Sequence, residues 1–253
     1  MSGLQLITPD WPAPDNIVAL TTTRIGGVSS APFNRFNVAS HVDDKAVSVE
    51  ANRQTLLNHC EGLQKIQWLN QIHSAKVVTA GAEICPDADA SMTAEPALAC
   101  AVMTADCLPL LVCDKYGYQV AAAHAGWRGL AGGVIDNTVA AFSAAGNELM
   151  VWLGPAISQA NFEVGEEVLQ QFLAAFETKD QDKVYRAFQP NRQHEGHYFA
   201  DLYQLARIRL NALGIANIYG GNLCCFEDSQ RFYSYRRDGQ TGRMATLIYK
   251  RPT

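Results

Sequence analysis

Three residues of this chain have the types and spacing of a metal site or a nucleophile site. Cys107 and His124 stand at the outer ends of two apolar segments, Leu108–Cys113 and Tyr118–His124, which a short turn joins. Antiparallel pairing of those segments would bring the thiol and the imidazole to the same end of a sheet. A third candidate, His73, lies in a bend between two other predicted strands. One cysteine and two histidines suit a catalytic zinc site, which keeps a fourth position for water or substrate.

The same residues also fit a nucleophile and its base. His124 would hold the thiolate of Cys107, and Arg128 with the helix start beside it would lower the pKa of the thiol. A third interpretation is purely structural, with a buried cysteine at a strand end and two hydrogen-bonded loop histidines. Residue spacing alone leaves all three interpretations open.

A glycine-rich segment, GWRGLAGG at Gly126–Gly133, directly follows the strand that ends at His124. Its backbone N–H groups would bind an anion at the start of the next helix, with Arg128 adding a bidentate contact. The segment lacks the lysine and the hydroxyl residue of a P-loop. A tight turn whose glycines only permit close packing is an equally good interpretation of the segment. Arg24, in the segment RIGG, is a second candidate for an anion contact.

Other polar residues carry weaker signals. His194 and His197 form an HxxH pair in a polar segment, which is typical of solvated loop residues. Three arginines lie among aromatic residues near the end of the chain, where they would either close over an anionic or aromatic ligand or form a cation–π surface. These arginines are Arg236, Arg237 and Arg243.

The composition is that of an ordinary globular protein, with 48% hydrophobic and 18% charged residues in 253. The formal net charge of −5, without a basic block, gives no reason to expect nucleic acid or an anionic membrane surface as a partner. No apolar run approaches the ~18 residues of a membrane span. Seven cysteines, an odd number, and the lack of a signal pattern predict a cytoplasmic protein with reduced thiols.

Hydrophobic periodicity predicts strands and helices mixed along the whole chain, without a repeat or a linker. The predicted strands are Ile17–Arg24, Ile66–Leu69, Lys76–Thr79, Ala97–Thr104, Leu108–Cys113, Tyr118–His124, Leu149–Leu153, Ile215–Tyr219 and Ala245–Lys250. The predicted helices are Asp44–Cys60, Gly129–Ala145, Val164–Phe176 and Leu202–Leu213. Asp87–Met92 reads as a connection and Thr178–Gly196 as a polar loop. The pattern predicts one α+β domain over residues 1–253.

Several segments together resemble the YfiH family, also called the multicopper polyphenol oxidoreductase or laccase-like family, whose members are described as purine nucleoside phosphorylases. The segments are TTTRIGGVSSAPF, NQIHSAKV, TADCLPLL, AAAHAGWRGLAGGV, WLGPAIS followed by FEVGEEV, and FYSYRRDGQTGRMATLIY. They occur in this order from Thr21 to Tyr249, so the resemblance covers almost the whole chain.

The resemblance implies two mixed β-sheets packed face to face with helices outside, an α/β/β/α layered sandwich of cysteine-hydrolase-like type. It implies that His73, Cys107 and His124 bind Zn²⁺ at the active site. It also implies phosphate-dependent cleavage of adenosine, inosine and methylthioadenosine, and deamination of adenosine. Cu²⁺ is the alternative metal, although the residues fit a blue-copper site less well and six histidines are few for multicopper oxidation.

The leading hypothesis is therefore a zinc enzyme, monomeric or homodimeric, that acts on a purine nucleoside and phosphate. Its expected catalytic residues are Cys107, His124, His73 and Arg24, and its expected substrate-binding residues are Asn37 and Arg128. Arg24 and Arg128 would hold phosphate, Asn37 would bind ribose or base, and Asp106 is a candidate acid by its position. Three rivals remain: a cysteine amidase that edits peptidoglycan precursors, a copper-dependent phenol oxidase, and a binding module with a structural metal.

Overall fold

The computed structural model, which describes residues 3–252, places fourteen strands in three sheets. The strands are β1 (Leu6–Ile7), β2 (Ile17–Thr22), β3 (Lys65–Gln67), β4 (Val77–Thr79), β5 (Ala90–Thr93), β6 (Leu98–Thr104), β7 (Leu108–Asp114), β8 (Val120–Ala125), β9 (Leu149–Leu153), β10 (Glu163–Gly165), β11 (Phe188–Pro190), β12 (His197–Ala200), β13 (Asn217–Gly220) and β14 (Met244–Lys250). The helices are α1 (Ala46–His59), α2 (Trp127–Ala131), α3 (Val134–Ala140), α4 (Glu166–Ala175), α5 (Gln181–Arg186), α6 (Leu202–Ala212) and α7 (Tyr235–Asp238).

Two large mixed sheets form the centre of the molecule. The first has the strand order β1-β2-β14-β6-β3 and the second has the order β13-β9-β7-β8-β5-β4. Their facing side chains share one core cluster, which includes Cys100 and Val102 from the first sheet and Leu111 and Trp152 from the second. The small third sheet, β10-β12-β11, lies outside this pair.

Side-chain alternation along the central strands explains the layers. Cys100 and Val102 of β6 point into the layer between the sheets, whereas Ala101 and Met103 belong to an outer cluster with Leu56 of α1. On the second sheet the outer cluster contains residues of α3, α4 and α6. The α+β class and the face-to-face sheets with helices outside, predicted above, are confirmed.

The predicted helix Gly129–Ala145 is wrong in its bounds, because the chain forms two helices, α2 and α3. Gly133, between them, has φ +92°, a left-handed conformation that ends one helix and redirects the chain into the next. Helix α2 also begins earlier, at Trp127, directly after the strand that carries His124.

Two segments predicted as irregular contain regular structure. Asp87–Met92 leads into β5, whose small residues pair with β4 on one side and β8 on the other. Thr178–Gly196 contains α5 and β11, which pairs with β12. These elements are only three to six residues long, with few apolar residues in each, so they show too little of the apolar period that marks a strand or helix in sequence. No helix within residues 3–252 is long and apolar enough to cross a membrane.

Candidate metal centre and active site

The hairpin of β7 and β8 brings the two central candidates together. Pro109 pairs with His124 and Leu108 with Ala125, so Cys107, which directly precedes β7, lies beside the end of β8. His73 reaches the same point from the bend before β4, with its ring edge-to-face on His124 at a centroid distance of 4.9 Å. The ligand atoms of Cys107, His73 and His124 all lie within 4.8 Å of one another.

A buried carboxylate, Asp89, fixes the two histidines relative to each other. Its Oδ1 lies 2.8 Å from Nδ1 of His124 and accepts a 3.0 Å hydrogen bond from the backbone N–H of His73. Its Oδ2 accepts from the backbone N–H and the hydroxyl of Ser74, at 2.6 and 2.8 Å. Since Nδ1 of His124 is engaged, its Nε2 is left for the thiol or a metal, as in carboxylate–histidine–zinc arrangements.

A glycine leaves room at the point where the three side chains converge. A Cβ on Gly126 would lie 3.0 Å from Sγ of Cys107 and 3.1 Å from Cδ2 of His73. Any larger residue would therefore press on the candidate ligands. One thiolate and two imidazoles in this arrangement fit a zinc or copper ion with an open coordination position.

Electrostatics favour an ion pair between the thiol and the imidazole. Burial alone would raise the pKa of Cys107, but the charge and hydrogen bonds of His124 and His73 outweigh it and lower the pKa to about 6. Burial likewise opposes protonation of His124, but the Cys107 thiolate and the Asp89 carboxylate raise its pKa to about 9. The thiolate, which is the form that binds metals and attacks electrophiles, is thus present at neutral pH.

The cluster opens into a cavity of about 400 Å³, a size that suits a small organic ligand. Beyond the three candidate ligands, its polar walls include His41, Gln71, Thr104, Tyr235 and Arg243. The hydroxyl of Thr104 is buried and has no hydrogen-bond partner among the described residues.

Arg243 supplies a guanidinium to this cavity and lies directly before β14. Its Nη1 donates to the backbone oxygens of Thr241 and Gly242, at 2.9 and 3.0 Å. Its Cζ lies 5.8 Å from the ring centroid of Tyr235. For the aromatic-rich arginine segment the sequence left a ligand-binding role and a cation–π surface equally open, and it did not single out Arg243 as the member that lines the site.

Arg24 and Arg128 lie outside the residues that line this cavity. Arg24 donates to the backbone oxygens of Asn34 and Ser229, at 3.0 and 3.1 Å, and lines a separate surface pocket. Arg128 stacks on the ring of its neighbour Trp127, with Cζ 4.3 Å from the ring centroid. A role for either residue in binding phosphate stays a prediction that this placement does not support.

Asn37 is fully buried, and its amide group is used within the protein. Its Nδ2 donates to the backbone oxygen of Ala39 and to Oδ2 of Asp44, and its Oδ1 accepts from the backbone N–H groups of Ala39 and Arg243. These contacts use the full capacity of a side-chain amide. The structure thus gives Asn37 a part in positioning Arg243, and its predicted contact with ribose or base stays without support.

Asp106 adjoins the cluster but does not line the cavity. It has φ +103°, which turns the chain between β6 and Cys107, and its Oδ2 accepts a 2.7 Å hydrogen bond from the backbone N–H of Arg236. Burial raises the pKa of its carboxyl, and its Oδ1 is buried without a partner in the described chain. Its assignment as an acid stays a prediction.

Comparison with known proteins shows the family to which the chain belongs. A family model described as multi-copper polyphenol oxidoreductase laccase matches residues 18–251. The chain belongs to this family. A purine nucleoside phosphorylase of Pseudomonas aeruginosa is 50% identical over 243 residues, 96% of this chain and 97% of that protein. The purine nucleoside phosphorylase YfiH of Escherichia coli is 44% identical over 247 residues, 97% and 98% of the two chains.

Solved structures share the whole fold of this family member. A crystal structure of a Neisseria meningitidis protein superposes with a TM-score of 0.91 at 47% identity, over 98% of this chain and 99% of that chain. YlmD from Geobacillus stearothermophilus gives a TM-score of 0.89 at 28% identity, over 100% and 98%. The layered sheets described above are therefore the architecture of the family.

Replacing the buried carboxylate tests its control of the metal centre. We expect Asp89→Asn to weaken zinc binding by about 10- to 100-fold, because His124 and the bend at His73 lose the charged acceptor that orients them. Competition with a chromophoric chelator measures the affinity. Asp87→Asn, an exposed aspartate two residues away, is the matched control and should bind zinc as the parent protein does. Equal affinities for the two variants would contradict the orienting role.

The lowered pKa of the thiol predicts an unusual alkylation profile for metal-free protein. Since the thiolate forms as pH rises through the pKa, the reaction of Cys107 with iodoacetamide should reach half its maximal rate near pH 6. Free cysteine in the same buffers should do so near pH ~8.5. Peptide mass spectrometry follows Cys107 separately from the other six cysteines. A profile for Cys107 that matches free cysteine would show that the imidazoles do not stabilise the thiolate.

Proposed function

We propose that this chain is a zinc-dependent purine nucleoside phosphorylase that cleaves adenosine, inosine and methylthioadenosine with phosphate and also deaminates adenosine. The observation that carries the proposal is the convergence of His73, Cys107 and His124 on a cavity of about 400 Å³ that also contains a guanidinium. The names of the relatives from Pseudomonas aeruginosa and Escherichia coli support phosphorolysis as the reaction.

In this proposal His73, Cys107 and His124 hold the zinc ion. When bound, zinc supplies a Lewis acid with a coordination position open to substrate or water. Asp89 keeps His124 in the orientation that presents Nε2, and the bend that Asp89 binds keeps His73 against it. The protein therefore provides a preorganised positive centre beside the cavity.

The other residues that line the cavity would bind the two substrates. The guanidinium of Arg243 suits phosphate, because it offers parallel N–H donors to two oxygens. The ring of Tyr235 offers an apolar face to a purine. A phosphate oxygen attacks the anomeric carbon, the bond to the purine nitrogen breaks, and the purine leaves with the electron pair and takes up a proton.

His41 is the cavity residue suited to move that proton. Burial and the neighbouring charges of Arg243, Arg53 and His124 lower the pKa of its imidazole. At neutral pH it is therefore uncharged, so it would pass a proton to the purine only as a relay that takes up a proton from solvent at one ring nitrogen and releases one from the other. Deamination is the secondary activity in this proposal. It needs a side chain that transfers protons at the reacting carbon, and the residues that line the cavity in the described chain include no carboxylate for this role.

One observation favours a second candidate, a cysteine amidase. The thiol of Cys107 contacts the imidazole of His124, and the imidazole contacts the buried carboxylate of Asp89. These contacts join the same groups, in the same order, as a cysteine-hydrolase triad. A peptidoglycan precursor would then be the substrate and the thiolate the nucleophile. The two functions differ in their need for metal, because only the amidase would work after zinc has been removed.

Product analysis tests the proposed reaction. We expect zinc-loaded protein to convert adenosine to adenine only when phosphate is present, and a small amount of inosine in either condition. Chromatography separates adenine, inosine and hypoxanthine. Recovery of unchanged adenosine would reject the nucleoside substrate, whereas activity towards a cell-wall precursor in chelator-treated protein would favour the amidase. Oxygen uptake by copper-loaded protein with a simple phenol would favour the oxidase.

Arginine variants test which guanidinium binds phosphate. We expect Arg243→Gln to raise the KM for phosphate by about 10- to 100-fold, since a charge-assisted hydrogen bond contributes about 1.5–3 kcal/mol. Arg24→Gln and Arg128→Gln should leave this KM within about twofold, because both residues lie outside the cavity. Steady-state kinetics with varied phosphate measure all three. If Arg24→Gln or Arg128→Gln raised the KM and Arg243→Gln did not, the assignment made from the sequence would be correct and this one wrong.

A further inference from the structure

A second cluster of metal-binding side chains lies on the small third sheet. Nδ1 of His194 lies 2.6 Å and Nδ1 of His197 lies 2.9 Å from the same carboxylate oxygen, Oε1 of Glu163. All three ligand atoms fall within 4.8 Å of one another. None of these residues lines the cavity described above. Two imidazoles therefore converge, through the same ring nitrogen, on one carboxylate.

Local backbone structure fixes this convergence. Glu163 of β10 is paired with Phe199 of β12, so His197, two residues along β12, projects from the same face as a diagonal neighbour. A turn closed by the hydrogen bond from the N–H of His197 to the oxygen of His194 folds the second imidazole back over the strand. Gly196, with φ +75°, permits that turn.

The Glu163 carboxylate is not paired with a lysine or an arginine among the described residues. Arg236 donates to the backbone oxygen of Glu163, at 3.0 Å, and the carboxylate contacts His194, His197 and Asn191. The guanidinium thus anchors the strand and does not neutralise the side chain. The side chains of His194 and His197 are 60% and 49% exposed, so a hydrated ion reaches them directly from solvent.

We propose that Glu163, His194 and His197 form a second site for a divalent metal of the zinc class, separate from the site at Cys107. Two nitrogens and one carboxylate oxygen are ligands that zinc accepts at about 2.0–2.2 Å, which sets neighbouring ligand atoms roughly 3.3 Å apart in a tetrahedron. The observed nitrogen-to-oxygen distances need to open by less than about 1 Å to reach that geometry. Three protein ligands on an open surface leave water in the remaining position, so this ion exchanges with solvent.

Zinc alone is the probe for this site. Intact protein is dialysed against buffers of rising free zinc concentration, and bound metal is counted by elemental analysis. We expect two equivalents of zinc per chain in the parent protein, one at each cluster. His194→Ala, His197→Ala and Glu163→Gln should each weaken one equivalent by at least about 10-fold, because even loss of an outer partner of a ligand has that effect. Cys107→Ala should retain the equivalent that those variants lose.

His59→Ala is the matched control, since His59 is an exposed histidine at the end of α1, outside both clusters. It should bind two equivalents as the parent protein does. The proposal is overturned if the parent protein binds one equivalent that Cys107→Ala removes, or if the variants at Glu163, His194 and His197 keep both. A parent protein that binds one zinc ion, which Cys107→Ala retains and His197→Ala loses, would reject only the zinc centre of the proposed function, so the two failures are distinguishable.

Discussion

The hydrogen bonds of one buried carboxylate, Asp89, determine whether the candidate active site exists. Asp89 lies directly before β5, which pairs with β8 and with β4, and its side chain accepts hydrogen bonds both from the bend at His73 and from the ring of His124. A buried carboxylate is stable only when its oxygens are fully paired. Here the groups that pair it are the groups that the site must position, so one interaction stabilises the fold and orients the candidate ligands.

The same interaction explains why a single geometry supports two kinds of chemistry. The charge of Asp89 favours a protonated His124, and that proton favours a Cys107 thiolate, so the metal-free site holds an ion pair. Metal binding uses the thiolate but displaces the proton from the imidazole, since a ligating histidine is neutral. Occupancy by a metal would therefore convert a nucleophile–base pair into a pair of ligands.

Sequence reasoning predicted the parts of the site that depend on local pattern. The apolar segments of β7 and β8 and the turn between them indicated the hairpin, and the hairpin places Cys107 beside His124. The sequence did not point to Asp89, because a buried aspartate in a segment of small residues has no periodic signature. The five groups that donate hydrogen bonds to its carboxylate also come from residues up to 35 positions away. The phosphate-binding roles predicted for arginines were the weakest part, since a guanidinium lies far from its own backbone. Only the packing of the fold showed that Arg243 lines the cavity, whereas Arg24 donates to loop carbonyl groups.

The position of the cavity between the two sheets has a consequence for specificity. The chain crosses from the first sheet to the second at Ala105–Cys107, so the candidate ligands Cys107 and His124 belong to the second sheet. Thr104 ends β6 in the first sheet, and its register partner there is Met244, which follows Arg243. The second sheet thus carries Cys107 and His124, whereas Thr104 at the end of β6 and Arg243 directly before β14 reach the cavity from the first sheet. Tyr235 comes from a third element, because it begins α7. Substitutions at Arg243 and Tyr235 would therefore alter which ligand the cavity accepts without moving the strands that carry Cys107 and His124.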